Sequence, residues 1–359
     1  MKKKLLYLLF TLCFFTLFRA QDIHFSQFNE QPALVNPALT GATASARASI
    51  VYRNQWRSIA SPFVSMGASA ETRFNSSEWQ QVDKFRGMTF KERTSGRLAA
   101  GLSVYKDNAG DGSINFTQIN FSLASFIPTG KKSFVSVGLQ AGWAQYILNT
   151  EKLVFPNQYN GTGYDASMSS NEKLVNQANS YGDFAAGALW SFGQNDKSYL
   201  GKRQLKANIG AAIYHLSKGQ SFLINGKSER SFKWVLHGDL LASLSNPDFA
   251  IAPSYLLQFR GSSQEIIAGM LLKRYIRVDS KYTGIVKRSS IGAGLYYRNR
   301  DAVILNIALD IKEQYTIGFS YDVNTSRLSK GTNARGGFEL NMRYTPPHSF
   351  LFQRKEKTK

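Results

Sequence analysis

The chain of 359 residues has one cysteine, Cys13, set inside an apolar N-terminal stretch, so residues 21–359 carry no thiol. Disulfides, thiolate nucleophiles and cysteine metal sites are excluded from that part. Long apolar runs are missing as well. The longest, Leu5–Phe18, is about 14 residues, short of the ~20 that a membrane-crossing helix needs. No helical period persists long enough to build a βαβ unit. The four histidines, His24, His215, His237 and His348, lack a His-Glu-x-x-His spacing. No Gly-x-Ser-x-Gly elbow, Walker loop or dinucleotide glycine pattern occurs. Acidic residues are few, 24 against 44 Lys and Arg, for a formal charge of +20. Proline is scarce at 9, beside 29 Gly, 25 Phe and 17 Tyr. That balance suits strands, tight turns and aromatic-rich interfaces.

The N-terminus has the parts of an export signal. Lys2, Lys3 and Lys4 supply the charged start, Leu5–Phe18 the apolar core, and Arg19-Ala20 a small residue at the break. Cleavage after Ala20 is expected, leaving residues 21–359. Leu12 before Cys13 is not the small residue of a lipid-attachment site. An exported basic chain rarely meets genomic DNA, so no nucleic-acid partner is expected. The positive charge points instead to lipopolysaccharide phosphates, an acidic partner or a lumen, with a scattered solvated surface as the plain alternative.

Two-residue alternation recurs through the rest. In Phe116–Phe126, Phe116, Gln118, Asn120, Ser122, Ala124 and Phe126 share one face, and Thr117, Ile119, Phe121, Leu123 and Ser125 the other. Ser133–Tyr146 alternates in the same way. With 46–56, further strands are expected at 63–74, 96–106, 181–192, 203–216, 231–244, 248–259, 264–274, 289–299, 301–311, 314–323 and 336–345, about 14 in all. An apolar face backed by a small or polar one fits a lipid-facing wall around a lumen, and equally the solvent side of a soluble sandwich. An even count suits a closed antiparallel barrel with both ends on one side of the membrane, an all-β transmembrane fold over residues 44–345. A mean hydropathy of −0.27 agrees, because inward polar residues offset outward apolar ones. Two long polar connections, 75–95 and 147–180, should collect on one rim. In this count they fall on opposite rims, which implies a misplaced strand boundary.

Residues 21–43 differ in kind, with no strict alternation. Asn36-Pro37 sets a turn or helix start, and Gly41 can take a left-handed stop. Phe25 and Phe28 favour docking over exposure, so the segment is expected to plug the lumen, cover an edge or act as a periplasmic arm. The alternative is a mobile leader. In the first strand Arg53 has opposite parity to Trp56, so Arg53 belongs to the lumen if Trp56 faces lipid. His215 and His237 fall on expected strands, where a lumen role outweighs metal binding. Asp107, Asp111, Asp239, Asp310 and Asp322 occur singly near turns or strand ends, where capping is the default use. Some outer-membrane hydrolases assemble His with Ser or Asp from neighbouring strands, which leaves no signature in a single sequence. No catalytic residue, cofactor or metal is otherwise expected. The last strand turns Phe338, Leu340, Met342 and Tyr344 outward, and a basic tail, residues 346–359, follows.

Several stretches carry a resemblance. Gln21-Asp-Ile-His-Phe-Ser-Gln-Phe28, Asn36-Pro-Ala-Leu-Thr-Gly41 and Tyr52-Arg-Asn-Gln-Trp56 occur in order. They are followed by Asp107-Asn-Ala-Gly110, Leu153-Val-Phe155 with Gln158, and Gly318-Phe-Ser-Tyr-Asp-Val323. As an ordered set spanning nearly the whole chain, they resemble the PorP/SprF family. The match departs mildly at Ile23-His24, where that family carries an acidic residue or proline. The resemblance implies an outer-membrane component of type IX secretion in Gram-negative bacteria, a system also linked to gliding motility. Its implied partners are a secreted adhesin with a type B C-terminal sorting domain and other type IX subunits, alongside membrane lipid and lipopolysaccharide. It implies no enzyme activity and no cofactor. On this reading Phe25, Ser26, Gln27, Phe28, Asn36, Pro37, Gly41, Arg53, Asn54, Gln55 and Trp56 are the candidate plug or partner residues. Two rival readings stand beside it, a stand-alone transporter resembling fatty-acid transport barrels and a secreted β-sandwich adhesin.

Overall fold

The structure is a computed structural model. It describes residues 24–57, 62–74, 97–109, 114–130, 132–148, 153–165, 167–169, 171, 177–198, 201–217, 231–246, 248–277, 288–326 and 329–346. The expected export signal, Asp111 and all of the basic tail but its first residue lie outside these.

Alternation becomes fourteen antiparallel strands: β1 Ala46–Gln55, β2 Phe63–Phe74, β3 Leu98–Ala109, β4 Ile114–Pro128, β5 Ser133–Leu148, β6 Gln177–Ser198, β7 Gly201–Tyr214, β8 Lys233–Ser243, β9 Phe249–Arg260, β10 Ser263–Arg277, β11 Ser289–Arg298, β12 Ala302–Ile311, β13 Tyr315–Asn324 and β14 Arg335–Tyr344. Each pairs with its neighbours in sequence, and β1 pairs with β14 to close the barrel. Closure satisfies the backbone groups that an open sheet edge would leave bare in lipid. Among the described residues no helix is long and apolar enough to cross a membrane, so the crossing is made by strands.

The two faces of each strand separate as the pattern requires. On β4, Asn120, Ser122 and Ala124 are buried while Ile119, Phe121 and Leu123 stand exposed. The outward belt continues through Leu139, Ile209, Met270, Leu295, Leu305, Ile307, Leu340 and Met342. Exposed aromatics mark its edges: Phe74, Trp190, Tyr315 and Tyr344 towards one rim, Trp143, Trp234, Phe259 and Tyr297 towards the other. An apolar girdle bounded by aromatics is the signature of a lipid-embedded wall. A secreted sandwich has no use for it, and that reading is discarded. Leu305→Arg, at the middle of β12, is expected to cost about 2–4 kcal/mol at the bilayer midplane. Urea titration of the barrel in lipid vesicles would read it as a lowered midpoint.

Antiparallel closure places both chain ends on one rim. The β2–β3 and β10–β11 connections lie on that rim, and the β5–β6 and β7–β8 connections on the opposite one. The strand count therefore needs no repair. The expectation that long loops share one rim is what fails, because each rim carries a long connection. Register is broken in three strand pairs: it shifts at Tyr275/Arg277 in β10–β11 and at Asp322/Val323 in β13–β14, and it lapses in β8–β9. Between β8 and β9 the register runs to Asp239↔Ser254 and resumes at Ala242↔Ile251. Pro253 lies in the gap and has no N–H to donate.

Candidate functional site

Residues 24–43 lie inside the barrel. Their sequence folds into short turns rather than a strand. Pro32 opens a one-turn helix, Pro32–Val35. Pro37 opens a 3-10 turn, Pro37–Leu39, and Asn36 caps it by accepting from the Ala38 N–H at 2.8 Å. Gly41 then takes φ 68°, a left-handed bend open to glycine without strain. The compact result is buried against the wall. Phe28, Val35, Ala38 and Leu39 pack with Leu189, Val235, Leu256, Ile267 and Ile304 from five strands. Phe25 packs with Val51 and Tyr105. At Gly138 on β5, an added Cβ would overlap the backbone of Pro37 and Ala38, so this close approach demands glycine.

Polar contacts fix the segment along its length. The first is a buried ion-pair network. Arg53 Nη2 lies 2.8 Å from Asp322 Oδ2, and its Nη1 lies 3.7 Å from Glu339 Oε2. Arg298 Nη1 reaches the same Asp322 oxygen at 3.0 Å, and its Nε lies 3.3 Å from Glu265. The Ser26 hydroxyl donates to Asp322 at 2.8 Å and accepts from Arg298 Nη2 at 2.8 Å. Glu339 accepts the backbone N–H groups of Ser26 at 2.7 Å and Gln27 at 2.9 Å, and Arg53 donates to the His24 carbonyl at 3.1 Å. Arg53 and Glu339 are each 1% exposed. Charges this deep are tolerable only because nearly every one has an opposite partner and hydrogen bonds.

A second network is centred on Glu30, which meets Arg343 at 2.9 Å and Arg47 at 3.2 Å. Arg343 leads on to Asp310, which Lys273, Ser290 and Thr316 also bind. The third is Asn36, 0% exposed. Its Nδ2 faces the carbonyls of Ala188 and Ala211 and His237 Nε2, at 3.0, 3.2 and 3.0 Å. An amide N–H aimed at Nε2 requires that nitrogen to be unprotonated, so His237 is the Nδ1–H tautomer here. At the end of the segment Gly41 donates to Glu71, and Arg73 donates to the Gly41 carbonyl while lying over the Phe126 ring. Beside residues 26–30 a cavity of about 50 Å³ remains, lined by Gln27, Asn29, Lys273, Tyr296, Asn306 and Thr316. It is water-sized.

The Tyr52–Trp56 run divides its labour. Arg53 faces the lumen. Tyr52 faces out, its ring 5.9 Å from Phe338 across the β1–β14 seam. Asn54 donates to the Tyr52 hydroxyl at 3.2 Å, and Gln55 is buried at the strand end. Trp56 is no strand residue. It follows β1 at φ 57°, donates to the Gly336 carbonyl and meets Phe63 edge-on at 4.9 Å. The capping role expected for the aspartates is wrong for Asp322 and Asp310, which are hubs of buried networks. Asp107 accepts from Ser65 and Asp239 from Asn208, both across strands. In the sequence Asp322 and Glu339 are marked only as the single acid of β13 and of β14. His215 falls just past β7 at φ 64° and pairs with Asp183 at 2.9 Å. Among the described residues no group of three or more His, Cys, Asp or Glu side chains is placed to hold a metal.

On the rim opposite the chain ends, residues 153–165, 167–169 and 171 form an excursion. A 3-10 turn, Pro156–Gln158, and a bridge Tyr159↔Tyr164 shape it. The Gln158 side chain, 9% exposed, donates to the Met168 carbonyl and accepts from the Phe155 N–H. Val154, Tyr159, Tyr164 and Met168 are left exposed.

Residues 17–344 match the family described as "Type IX secretion system membrane protein PorP/SprF". No curated protein matches. Solved structures with a similar fold include the toluene transporter TbuX of Ralstonia pickettii, at TM-score 0.43 and 9% identity over 88% of this chain and 92% of that one. The toluene transporter TodX of Pseudomonas putida gives 0.40 and 9% over 86% and 91%. BamA of Haemophilus ducreyi gives 0.40 and 11% over 84% and 70%. With a family match over nearly its whole length and the wall of an outer-membrane barrel, the chain belongs to the PorP/SprF family of type IX secretion system membrane proteins.

Proposed function

We propose that this protein serves type IX secretion as the outer-membrane partner of a large adhesin bearing a type B C-terminal sorting domain, supporting its export or holding it at the surface. On this reading it catalyses no reaction and needs no cofactor. The observation that carries the reading is the occupied lumen. A barrel whose interior is filled by its own segment, bound to most of its strands, is built as a scaffold rather than a free channel. The rim opposite the chain ends is then the outer surface, since the ends of such barrels lie in the periplasm. Residues 153–171 supply a docking surface there. Their Tyr, Asn, Ser and Gly content joins rigid aromatic contacts to adaptable polar ones, as in antibody loops.

Deleting the protein from its host and following the adhesin is the test. Adhesin lost from the surface, with hydrocarbon and fatty-acid uptake intact, supports the reading. Normal display with impaired uptake would transfer the role to a transporter. Changing both Tyr159 and Tyr164 to Ala should weaken capture of the adhesin about a thousandfold while barrel assembly is unchanged, because such aromatic contacts carry roughly 2 kcal/mol each in an interface. Surface immunofluorescence would read it.

A further inference from the structure

The β1–β14 seam is the one place where strands remote in sequence must meet. Every other neighbour pair is consecutive. Loop-closure entropy weighs most heavily on this pairing. The N-terminal segment runs along its inner side. Inward positions 339, 341 and 343 of β14 are each bonded to it in turn. Glu339 takes the amides of Ser26 and Gln27, Asn341 bonds the Gln27 side chain, and Arg343 pairs with Glu30. On β1 the same residues meet Arg53 through Glu339, Val51 through Phe25 and Arg47 through Glu30. Glu30 bridges the two strands outright, because its carboxylate binds Arg47 of β1 and Arg343 of β14.

We infer that residues 25–30 are a closure clasp, an intramolecular assembly element that brings the first and last strands into register and locks the barrel shut. The role is separate from docking of a secreted partner. The segment is attached directly to β1, so docking it on β14 turns a search across the whole chain into a local one. Its one acid, Glu30, and its amides match the arginines and glutamate lining the seam. The Asn36 contacts lie on the far side, at β6 to β8, and hold the segment without touching the seam.

The test follows closure directly during refolding of the full chain into lipid vesicles. Ile50 and Met342 are outward-facing register partners across the seam, as Leu295 and Leu305 are across β11–β12. Cysteines at either pair, with Cys13→Ser, report the pairing by disulfide capture, since directly opposed strand residues lie within disulfide reach. Glu30→Gln with Glu339→Gln should slow capture at Ile50–Met342 about tenfold while capture at Leu295–Leu305 keeps its rate. Asn36→Ala should leave the ratio of the two rates unchanged. Equal slowing at both pairs, no slowing at either, or an equal seam defect from Asn36→Ala would overturn the clasp. If the double variant does not fold, Glu30→Gln alone makes the same comparison, with a smaller seam-specific slowing expected.

Discussion

Arg53→Ala is expected to destabilise the assembled barrel by about 3–5 kcal/mol, because it leaves the buried Glu339 carboxylate without its cation. Arg53 stands between Asp322 and Glu339 and also holds the His24 carbonyl. Removing it leaves the Glu339 carboxylate, 1% exposed, with no opposite charge of its own. Arg298 still neutralises Asp322, so the damage concentrates on Glu339 and on the Ser26 and Gln27 amides bound there. Heat-modifiability on gels should show the folded band lost at a lower temperature. Arg53→Lys, which keeps the charge but not the fork, should recover only part of the loss. The double change Arg53→Met with Glu339→Leu should recover more than either single change, since removing both ends of a buried pair leaves no orphan charge. A melting profile unchanged by Arg53→Ala would mean that the network contributes nothing to stability.

Releasing residues 24–43 should convert a silent barrel into a conducting one. Fourteen strands enclose more space than wall side chains fill, and it is this segment that occupies the centre. The clean form of the experiment assembles the intact barrel first. A protease site inserted between Thr43 and Ala44 is then cut, and mild urea frees the segment. Planar bilayer recordings should show no steps before cleavage and discrete open steps after it. Asn36→Ala should lower the urea needed, because each amide contact to the buried wall is worth about 1 kcal/mol. Steps of equal size before and after would mean that the segment does not obstruct the lumen.

The wall was open to reading from the sequence because period two carries both its fold and its environment. Phe63–Phe74 matched its observed strand end for end, and the inward–outward split at Phe116–Phe126 was correct. For Arg53, parity offers the lumen only on the condition that Trp56 faces lipid, and Trp56 lies outside the strand. The partners of Arg53 were not legible. Asp322 and Glu339 lie hundreds of residues from Ser26, and what joins them is closure, a property of strand order rather than of any local window. Asp310 and Asp322 were read as caps because a lone acid near a strand end most often is one. Trp56 defeated the parity argument because a left-handed residue after β1 ends the alternation. The long loops misled because each rim carries one.

The measurement that bears most directly on the central claim is affinity capture of the tagged protein from detergent-solubilised outer membranes, with mass spectrometry of what accompanies it. Recovery of a secreted protein with a type B sorting domain, or of type IX secretion subunits, is the predicted result, and it should weaken when Tyr159 and Tyr164 are both replaced by Ala. A barrel recovered alone, with its lumen segment in place, would contradict the proposed role in secretion.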